Sequence, residues 1–429
     1  MPIKPVALSA TPSSGFVFKL YICAEDPTTV YARLLWILTA HYARTNSFMI
    51  YLDNNATTKI DPLVLETMMP FLTDNFANAA STHVFGVGAN EAVKTARQQI
   101  ADLIGAQINE IVFTSGATEA INLAIKGVTE QYQTKGKHII TVQTEHSAVL
   151  DVCRYLETKG FTVTYLPVQH DGLIDLEVLK AAIRPDTILA SVMAVNNEIG
   201  VIQPLKEIAE LAHKAGALFM TDGTQAVGKW PLNVDNLGID LLTLSAHKFY
   251  GPKGVGALFV RQRRPNRVKL EGLLHGGGHE GGKRSGTLNV TGIVGMRKAA
   301  ELAQKQLQSD AKRVGKLRDT LENELLQISG TRINGNRENR LYNVTNVLFE
   351  GCDSDALIMG LENIAVSNGS ACTSASIDPS HVLMALGMTE TEAFLCIRFS
   401  LGRFNTADEI PQVVEVVKKV VGQLRAMSG

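Results

Sequence analysis

The chain has 429 residues, of which 45% are hydrophobic and 19% are charged, and this composition excludes a disordered, collagen-like or disulfide-rich protein. Its 41 Lys and Arg residues balance 42 Asp and Glu residues, so the formal net charge of −1 offers no basic surface for nucleic acid. At roughly 100 to 200 residues per domain, the length predicts two or three domains, or one large α/β unit with a smaller appendage.

Residues 1–48 are interpreted as an N-terminal extension, because Met49 opens a strand-and-turn sequence, Met-Ile-Tyr-Leu-Asp-Asn-Asn. The extension is interpreted as a non-native start or a leader. Arg33 interrupts the apolar stretch between Val30 and Ala40, which is too short to span a membrane. We expect no membrane association and a cytoplasmic location, with a mitochondrial or other organelle location as the alternative if the extension is a targeting leader.

The region from residue 111 to residue 261 alternates short β-rich runs with amphipathic segments, which predicts an α/β sheet covered by helices on both faces. Segments 118–131 and 205–214 carry apolar residues at helical spacing and are predicted to be crossover helices. Seven runs are predicted to be strands: 111–114, 138–142, 161–166, 187–193, 217–221, 241–245 and 256–260.

The C-terminal part of the chain has a different pattern. A long helix is predicted over about 292–328, and strands are predicted at 343–349 and 397–401, so this part should form a smaller α+β domain. Thr406 and Glu409 have the spacing of a capping box, and the apolar residues that follow repeat at helical spacing, which predicts a final helix.

The glycine-rich stretch 272–286 matches no known binding loop closely. Residues 276–281 read G-x-G-x-x-G, but no strand precedes them and no helix follows, so a dinucleotide site is not indicated. Arg284 stands where a Walker A loop needs Ser or Thr. His275 and His279 have a metal-like separation, but no carboxylate or thiol pattern completes a tetrahedral site, so we expect no metal in the isolated protein.

Residues 114–119, Thr-Ser-Gly-Ala-Thr-Glu, lie between a predicted strand and a predicted helix. In that position Gly116, Ala117 and Thr118 would offer backbone N–H groups and a hydroxyl to an anion such as a phosphate. A simple N-cap turn explains the same residues equally well when they are taken alone.

Asp222 and Lys248 follow two different predicted strands, and ligands bind at the carboxyl ends of strands in such sheets. A lysine that forms a Schiff base, a carboxylate that pairs with a pyridine nitrogen and a phosphate cradle are the groups that a pyridoxal phosphate enzyme needs. Each residue alone is more often a surface or capping residue. Together, and in this order along the chain, these residues favour a pyridoxal phosphate site.

Nine ordered motifs carry a resemblance to a known family: YLDNNATT at 51–58, FTSGATE at 113–119, TEH at 144–146, NNEIG at 196–200, DGTQ at 222–225, SAHKFYGPKG at 245–254, RSGT at 284–287, SACTSAS at 370–376 and IRFSLG at 397–402. With them, the chain from Met49 to Met427 resembles the IscS/NifS-like cysteine desulfurases, which are class V aminotransferase-like enzymes of fold type I that use pyridoxal 5'-phosphate. The resemblance covers nearly nine tenths of the chain.

The resemblance implies a large cofactor-binding domain at 61–300 with a seven-stranded, mainly parallel sheet. It also implies a smaller α+β domain, made of 49–60 and of 301–429, that carries the catalytic cysteine loop. The active enzyme would be a homodimer.

The same resemblance assigns roles to individual residues around the cofactor. Lys248 would hold the cofactor, and His146 would stack on its ring. Asp222 would face the pyridine nitrogen and Gln225 the ring hydroxyl, with Asn197 beside them.

The resemblance also implies a phosphate site and a substrate site. The phosphate would be bound by Ala117, Thr118, Ser245 and His247 and by Thr287 of the partner subunit. Arg398 would bind the substrate carboxylate, for which a bidentate guanidinium is well shaped.

The five cysteines are scattered and never form a C-x-x-C pair, which indicates a reducing compartment. Cys372 lies among small polar residues that would form a flexible loop, so it is the predicted nucleophile that carries sulfur as a persulfide. Its alternative role is simple burial, as is common for free cysteines. Cys153 and Cys396 are predicted to be packing residues, and Cys352 and Cys23 have no evident role.

The expected function is conversion of L-cysteine to L-alanine, with the sulfur passed to an acceptor protein such as an iron–sulfur scaffold or a tRNA-thiolation sulfur carrier. The alternatives are another lyase or transaminase with the same cofactor, or a non-catalytic sulfur-carrier or cluster-assembly platform in which Cys372 is a transient iron–sulfur ligand. Ala246 stands where relatives often have glycine, and the chain stops at Gly429 without the longer tail thought to dock the scaffold. The resemblance therefore implies the desulfurase reaction more directly than it implies delivery of sulfur to the iron–sulfur scaffold.

Overall fold

The computed structural model of the chain describes residues 49–263, 267–369 and 378–428. Residues Ile50–Gly429 form one compact unit. Its strands are β1 (Ile50–Tyr51), β2 (Ile111–Thr114), β3 (His138–Val142), β4 (Thr162–Leu166), β5 (Thr187–Ser191), β6 (Leu218–Asp222), β7 (Leu241–Ser245), β8 (Gly256–Val260), β9 (Thr331–Asn334), β10 (Val344–Phe349), β11 (Ile364–Ala365) and β12 (Cys396–Ser400).

The α-helices of the described residues span Pro62–Met68, Pro70–Thr73, Val84–Ile104, Ala117–Tyr132, Ser147–Glu157, Leu176–Ala182, Leu205–Lys214, Val290–Leu325, Ser354–Gly360, His381–Ala385, Glu390–Ala393 and Glu409–Ser428. Short 3-10 helices lie at Ile108–Glu110, Ala246–Lys248 and Glu280–Gly282. Within the described ranges, none of these helices is long and apolar enough to cross a bilayer.

Strands β2 to β8 form one seven-stranded sheet in the order β2-β8-β7-β6-β5-β3-β4. All neighbours are parallel except β8, which is antiparallel to both β2 and β7. The predicted α/β fold with a seven-stranded, mainly parallel sheet is therefore confirmed. The central strands are buried along their whole length, because helices cover both faces and leave no side of the strand in water.

The two faces of this sheet belong to two hydrophobic clusters, because successive side chains of a strand point to opposite faces. Leu242 packs in a cluster with Ile100 and Ile208 from helices on one face. Its neighbour Leu241 packs in the second cluster with Ile125 from the helix on the other face. This layered packing fixes the carboxyl ends of β6 and β7 at one edge of the sheet.

A second region contains the three-stranded antiparallel sheet β12-β10-β9 and the parallel pair β1-β11. Its core contains Phe349, Phe399 and Val417. The helix Val290–Leu325 has residues in the cores of both regions and crosses position 300, so the predicted division at 300/301 stays a prediction.

One of the two hydrogen bonds of the predicted capping box is present before the final helix, from the Thr406 backbone N–H to the Glu409 carboxylate. The regular helix itself is Glu409–Ser428. The Glu409 carboxylate accepts hydrogen bonds from the Thr406 backbone N–H at 3.1 Å and from the Asn405 side chain at 2.8 Å. The carboxylate therefore closes the turn before the helix, and the predicted apolar face that includes Val413 is buried.

Candidate active site

A cavity of about 560 Å³ opens at the carboxyl ends of β6 and β7. It brings together ten residues that the sequence predicted for the site: Ala117, Thr118, His146, Asn197, Asp222, Gln225, Ser245, His247, Lys248 and Arg398. Thr287 is exposed and is not among the residues that line this cavity. Cys372 lies outside the described residues, so its predicted role stays a prediction.

Lys248 reaches the cavity from the short 3-10 helix Ala246–Lys248, which directly follows β7. Its Nζ donates hydrogen bonds to the backbone carbonyls of Asn55 at 2.7 Å and Ala56 at 2.8 Å. Both carbonyls belong to the loop that follows β1. The amine is therefore held between the large sheet and the N-terminal loop.

Asp222 is the last residue of β6 and is buried. Its Oδ1 accepts hydrogen bonds from the Thr224 backbone N–H at 2.9 Å and from the Thr243 hydroxyl at 3.1 Å. Thr243 lies opposite Asp222 on the neighbouring strand β7. These two donors fix the direction of the carboxylate at the cavity wall.

His146 precedes the helix Ser147–Glu157, and its Nδ1 accepts a hydrogen bond from the Ala148 backbone N–H at 3.1 Å. This bond requires a lone pair on Nδ1, so the neutral ring carries its proton on Nε2. Burial, together with the charge of Lys248, lowers the pKa of the imidazole against the opposing effect of Asp222. The ring is therefore a neutral, flat group at the cavity near pH 7.

The helix Ala117–Tyr132 points its N-terminus at the cavity, and its N-cap Gly116 contributes no side-chain cap. Its first backbone N–H groups are suited to an anion. A Cβ on Gly256 of β8 would lie 2.7 Å from the Gly116 Cα, so only glycine permits this approach of strand and loop. Burial and the charges of Lys248 and Lys253 lower the pKa of the adjacent His247 to about 4.

Arg398 comes from β12 of the smaller sheet and is buried. Its Nη2 lies 2.6 Å from Asp53 Oδ1, and its Nη1 donates to the Asn197 carbonyl at 3.1 Å. Its Nε is buried and has no hydrogen-bond partner among the described residues. Arg398 lines the cavity, and a guanidinium oriented in this way, with one donor to spare, can bind a carboxylate.

Several site residues were missed by sequence reasoning. Asp53 and Asn55 lie inside the recognised motif at 51–58, which was the signal available for them. Lys229 lies four residues after Gln225 and is buried behind it. The sequence pattern around this turn did not indicate that its lysine would be buried. Thr224 lines the cavity with a buried hydroxyl that has no partner among the described residues.

The three cysteines that the structure describes are all buried. Cys153 and Cys396 each pack within a hydrophobic cluster, as predicted, and Cys352 does so as well. Burial raises the pKa of Cys153 and of Cys396 to about 12. Neither thiol would be a thiolate near neutral pH, and the thiolate is the nucleophilic form.

Comparisons with known proteins agree with this geometry. The class-V aminotransferase family matches residues 50–413. Cysteine desulfurase IscS from Haemophilus influenzae (strain PittGG) is 56% identical over 382 residues, which cover 88% of this chain and 94% of the relative. The protein of the same name from Pectobacterium carotovorum subsp. carotovorum (strain PC1) is 55% identical over the same shares of both chains.

Solved structures give the same result. A NifS-like protein has a TM-score of 0.82 at 38% identity and covers 87% of this chain and all of its own. SspA in complex with cysteine has a TM-score of 0.73 at 39% identity, with 83% of this chain and all of its own covered. The chain therefore belongs to the class-V aminotransferase family and, within it, to the IscS/NifS-like cysteine desulfurases.

Proposed function

We propose that the protein removes sulfur from L-cysteine with pyridoxal 5'-phosphate as its cofactor, releases L-alanine, and holds the sulfur as a persulfide on Cys372. The observation that carries this proposal is the convergence of Lys248, Asp222 and Arg398 on one cavity. They supply an amine, a carboxylate and a guanidinium from three different parts of the chain. Any one of these groups alone is common in proteins that bind no cofactor, whereas the three together match what this chemistry needs.

The residues at the cavity fit this cofactor. Its volume of about 560 Å³ accommodates a small aromatic ring with a phosphate. The uncapped N-terminus of the helix Ala117–Tyr132 would bind the phosphate, with Ser245 and His247 beside it. The unpartnered Thr224 hydroxyl and Arg398 Nε are buried donors that need a ligand.

Pyridoxal phosphate supplies an electron sink that makes the Cα proton of an attached amino acid removable. Asp222 would stabilise the proton on the pyridine nitrogen, and His146 would lie flat against the ring. Arg398 would bind the carboxylate of cysteine. The Lys248 amine would move the proton at the substrate Cα, since a positioned base is suited to that task.

The sulfur step requires a thiolate that attacks the sulfur of cysteine. The new bond joins the Cys372 sulfur to the substrate sulfur, and the substrate C–S bond breaks. The bond electrons stay with carbon, which takes a proton to become the methyl group of alanine. Because carbon is reduced as sulfur is oxidised, no external oxidant is required.

We also propose the homodimer and the sulfur acceptors expected from the family. Thr287 is exposed on its own chain and would complete the phosphate site of the partner subunit. The acceptor would be an iron–sulfur scaffold or a tRNA-thiolation carrier protein. A cytoplasmic location stays a prediction, and the extension 1–48 that bears on it lies outside the described residues.

The test measures L-alanine and sulfide released from L-cysteine by the cofactor-loaded protein in the presence of a thiol reductant. Lys248→Ala should abolish both products, and Cys372→Ala should abolish sulfide while the visible absorption of the cofactor is retained. Cys352→Ala is the matched control, because that thiol lies in the core of the other region. A wild-type protein that takes up no pyridoxal phosphate would overturn the proposal.

A further inference from the structure

Lys229 is a buried lysine directly behind the candidate site. It is only 3% exposed, and its Nζ donates to Gln225 Oε1 at 3.0 Å. Among the described residues, no carboxylate lies within salt-bridge distance of this Nζ. The charges that act on Lys229 are those of Lys248 and Arg398, which are both positive, so its environment opposes a charge rather than neutralising it.

The contact fixes the orientation of the Gln225 amide. When Lys229 is charged, its nitrogen has donors and no acceptor, so Gln225 turns its oxygen toward Lys229. The amide NH₂ then faces the other way, where Nε2 donates to the Asn55 carbonyl at 2.8 Å. Gln225 therefore has its donor NH₂ on the side of Asn55, which also lines the cavity.

The same carbonyl connects this pair to the amine of Lys248. Asn55 O accepts from Gln225 Nε2 at 2.8 Å and from Lys248 Nζ at 2.7 Å. Two groups, the Gln225 amide and the Asn55 carbonyl, therefore connect Lys229 by hydrogen bonds to the amine that would hold the cofactor.

We propose that Lys229 is a positioning residue, which orients the Gln225 amide and places a second buried positive charge behind the Lys248 amine. This inference rests on the proposed function of Lys248. A neighbouring cation favours the neutral, reactive form of a lysine amine, which raises its reactivity near pH 7. The coupling is mutual: burial, then the charges of Lys248 and Arg398, lower the pKa of Lys229 to about 7.

The other charged or titratable groups near these two lysines come from several elements. Asp222 on β6 and His146 and His247 act on the cavity, and Arg398 on β12 is paired with Asp53. None of these groups is removed in a Lys229 variant, so a change in the titration of Lys248 reports the loss of the Lys229 charge and of the Gln225 orientation that depends on it.

The test compares Lys229→Met, which removes the charge, with Lys229→Arg, which keeps it. The pH dependence of acylation of the Lys248 amine is measured in the cofactor-free protein by mass spectrometry of its peptide. We expect Lys229→Met to raise the midpoint by at most about one pH unit, because Lys229, with a pKa of about 7, carries only part of its charge near neutral pH. Lys229→Arg, which stays charged at every pH of the titration, should leave the midpoint at or below that of wild type. The exposed-site control Lys214→Met should leave it unchanged.

Two results would overturn the inference: an unchanged midpoint in Lys229→Met, or an equal shift in Lys229→Arg, which would indicate altered packing. If Lys229→Met does not fold, Lys229→Gln makes the same comparison. The visible absorption of the cofactor-loaded protein gives a second titration, which should shift in the same direction. A failure of the proposed function would remove that absorption from every variant, whereas a failure of this inference would leave it present and unshifted.

Discussion

Asp53 Oδ1 lies 2.6 Å from Nη2 of Arg398, and this ion pair joins the loop after β1 to β12, 345 positions later in the chain. The pair is largely buried, so the geometry of the guanidinium is set before any substrate arrives. A group that is oriented in advance loses less entropy when it binds its ligand. Asp53 is therefore expected to contribute to cysteine binding without touching cysteine itself.

Asp53→Ala should raise the KM for L-cysteine by about tenfold, equivalent to about 1.4 kcal/mol, with a smaller change in kcat. Asp53→Asn retains an oxygen acceptor for Arg398 and should have a milder effect. Steady-state kinetics of alanine formation measure both variants. A KM that stays at the wild-type value in Asp53→Ala would show that Arg398 keeps its orientation without this partner.

Asp222→Asn should reduce the rate of alanine formation by about 10² to 10⁴-fold while the protein still takes up the cofactor. An amide does not stabilise a proton on the pyridine nitrogen as a carboxylate does, so the electron sink would be weakened. Single-turnover measurements with L-cysteine give the rate, and visible absorption gives the occupancy. Thr243→Val is the matched control, because it removes one hydrogen bond to Asp222 and keeps the carboxylate charge. A similar loss of rate in both variants would argue against a role for that charge.

The stability effect of Lys229→Met should depend on pH. The pKa of Lys229 is lowered from 10.5 to about 7 in the folded protein, so between these values the unfolded chain binds more protons than the folded one. The wild type therefore gains stability as pH rises through this window, and the full cost of the buried charge is present below pH 7. The advantage of Lys229→Met over wild type should accordingly shrink by about 3 kcal/mol between pH 7 and pH 9.5.

Thermal unfolding of the two proteins at both pH values measures this change, with Lys214→Met as an exposed control. A difference in melting temperature that is the same at both pH values would contradict the depressed pKa of Lys229.

Thr287→Val should weaken cofactor binding by about tenfold through the loss of one hydrogen bond to the phosphate. If Thr287 acts on the partner subunit, a mixed dimer of Thr287→Val and Lys248→Ala chains contains one site with both residues intact. That dimer should recover wild-type affinity in half of its sites, as measured by cofactor titration. No recovery would place Thr287 at the site of its own chain.

Much of this arrangement could be predicted from the sequence, because its signals are local. The strands of the large sheet are short β-rich runs, and β2, β3, β7 and β8 have the predicted bounds. Asp222 and Lys248 could be placed at one edge because parallel strands align their carboxyl ends.

The contacts that could not be predicted are long-range or depend on burial. Nothing in the local pattern pairs Asp53 with Arg398, since the two belong to different elements at opposite ends of the chain. Lys229 lies in a turn, where a lysine is ordinarily exposed. The capping-box pattern predicts the bond from the Thr406 backbone N–H to Glu409, but it does not predict that the regular helix begins only at Glu409.

The central claim is that Cys372 receives the sulfur of L-cysteine. Its most direct test is mass spectrometry of the cofactor-loaded protein after one turnover with L-cysteine in the absence of reductant, followed by alkylation and digestion. We predict one additional sulfur atom on the peptide that contains Cys372 and one alanine formed per sulfur. Sulfur found instead on Cys153, Cys352 or Cys396, or alanine formed with no sulfur added to the protein, would contradict it.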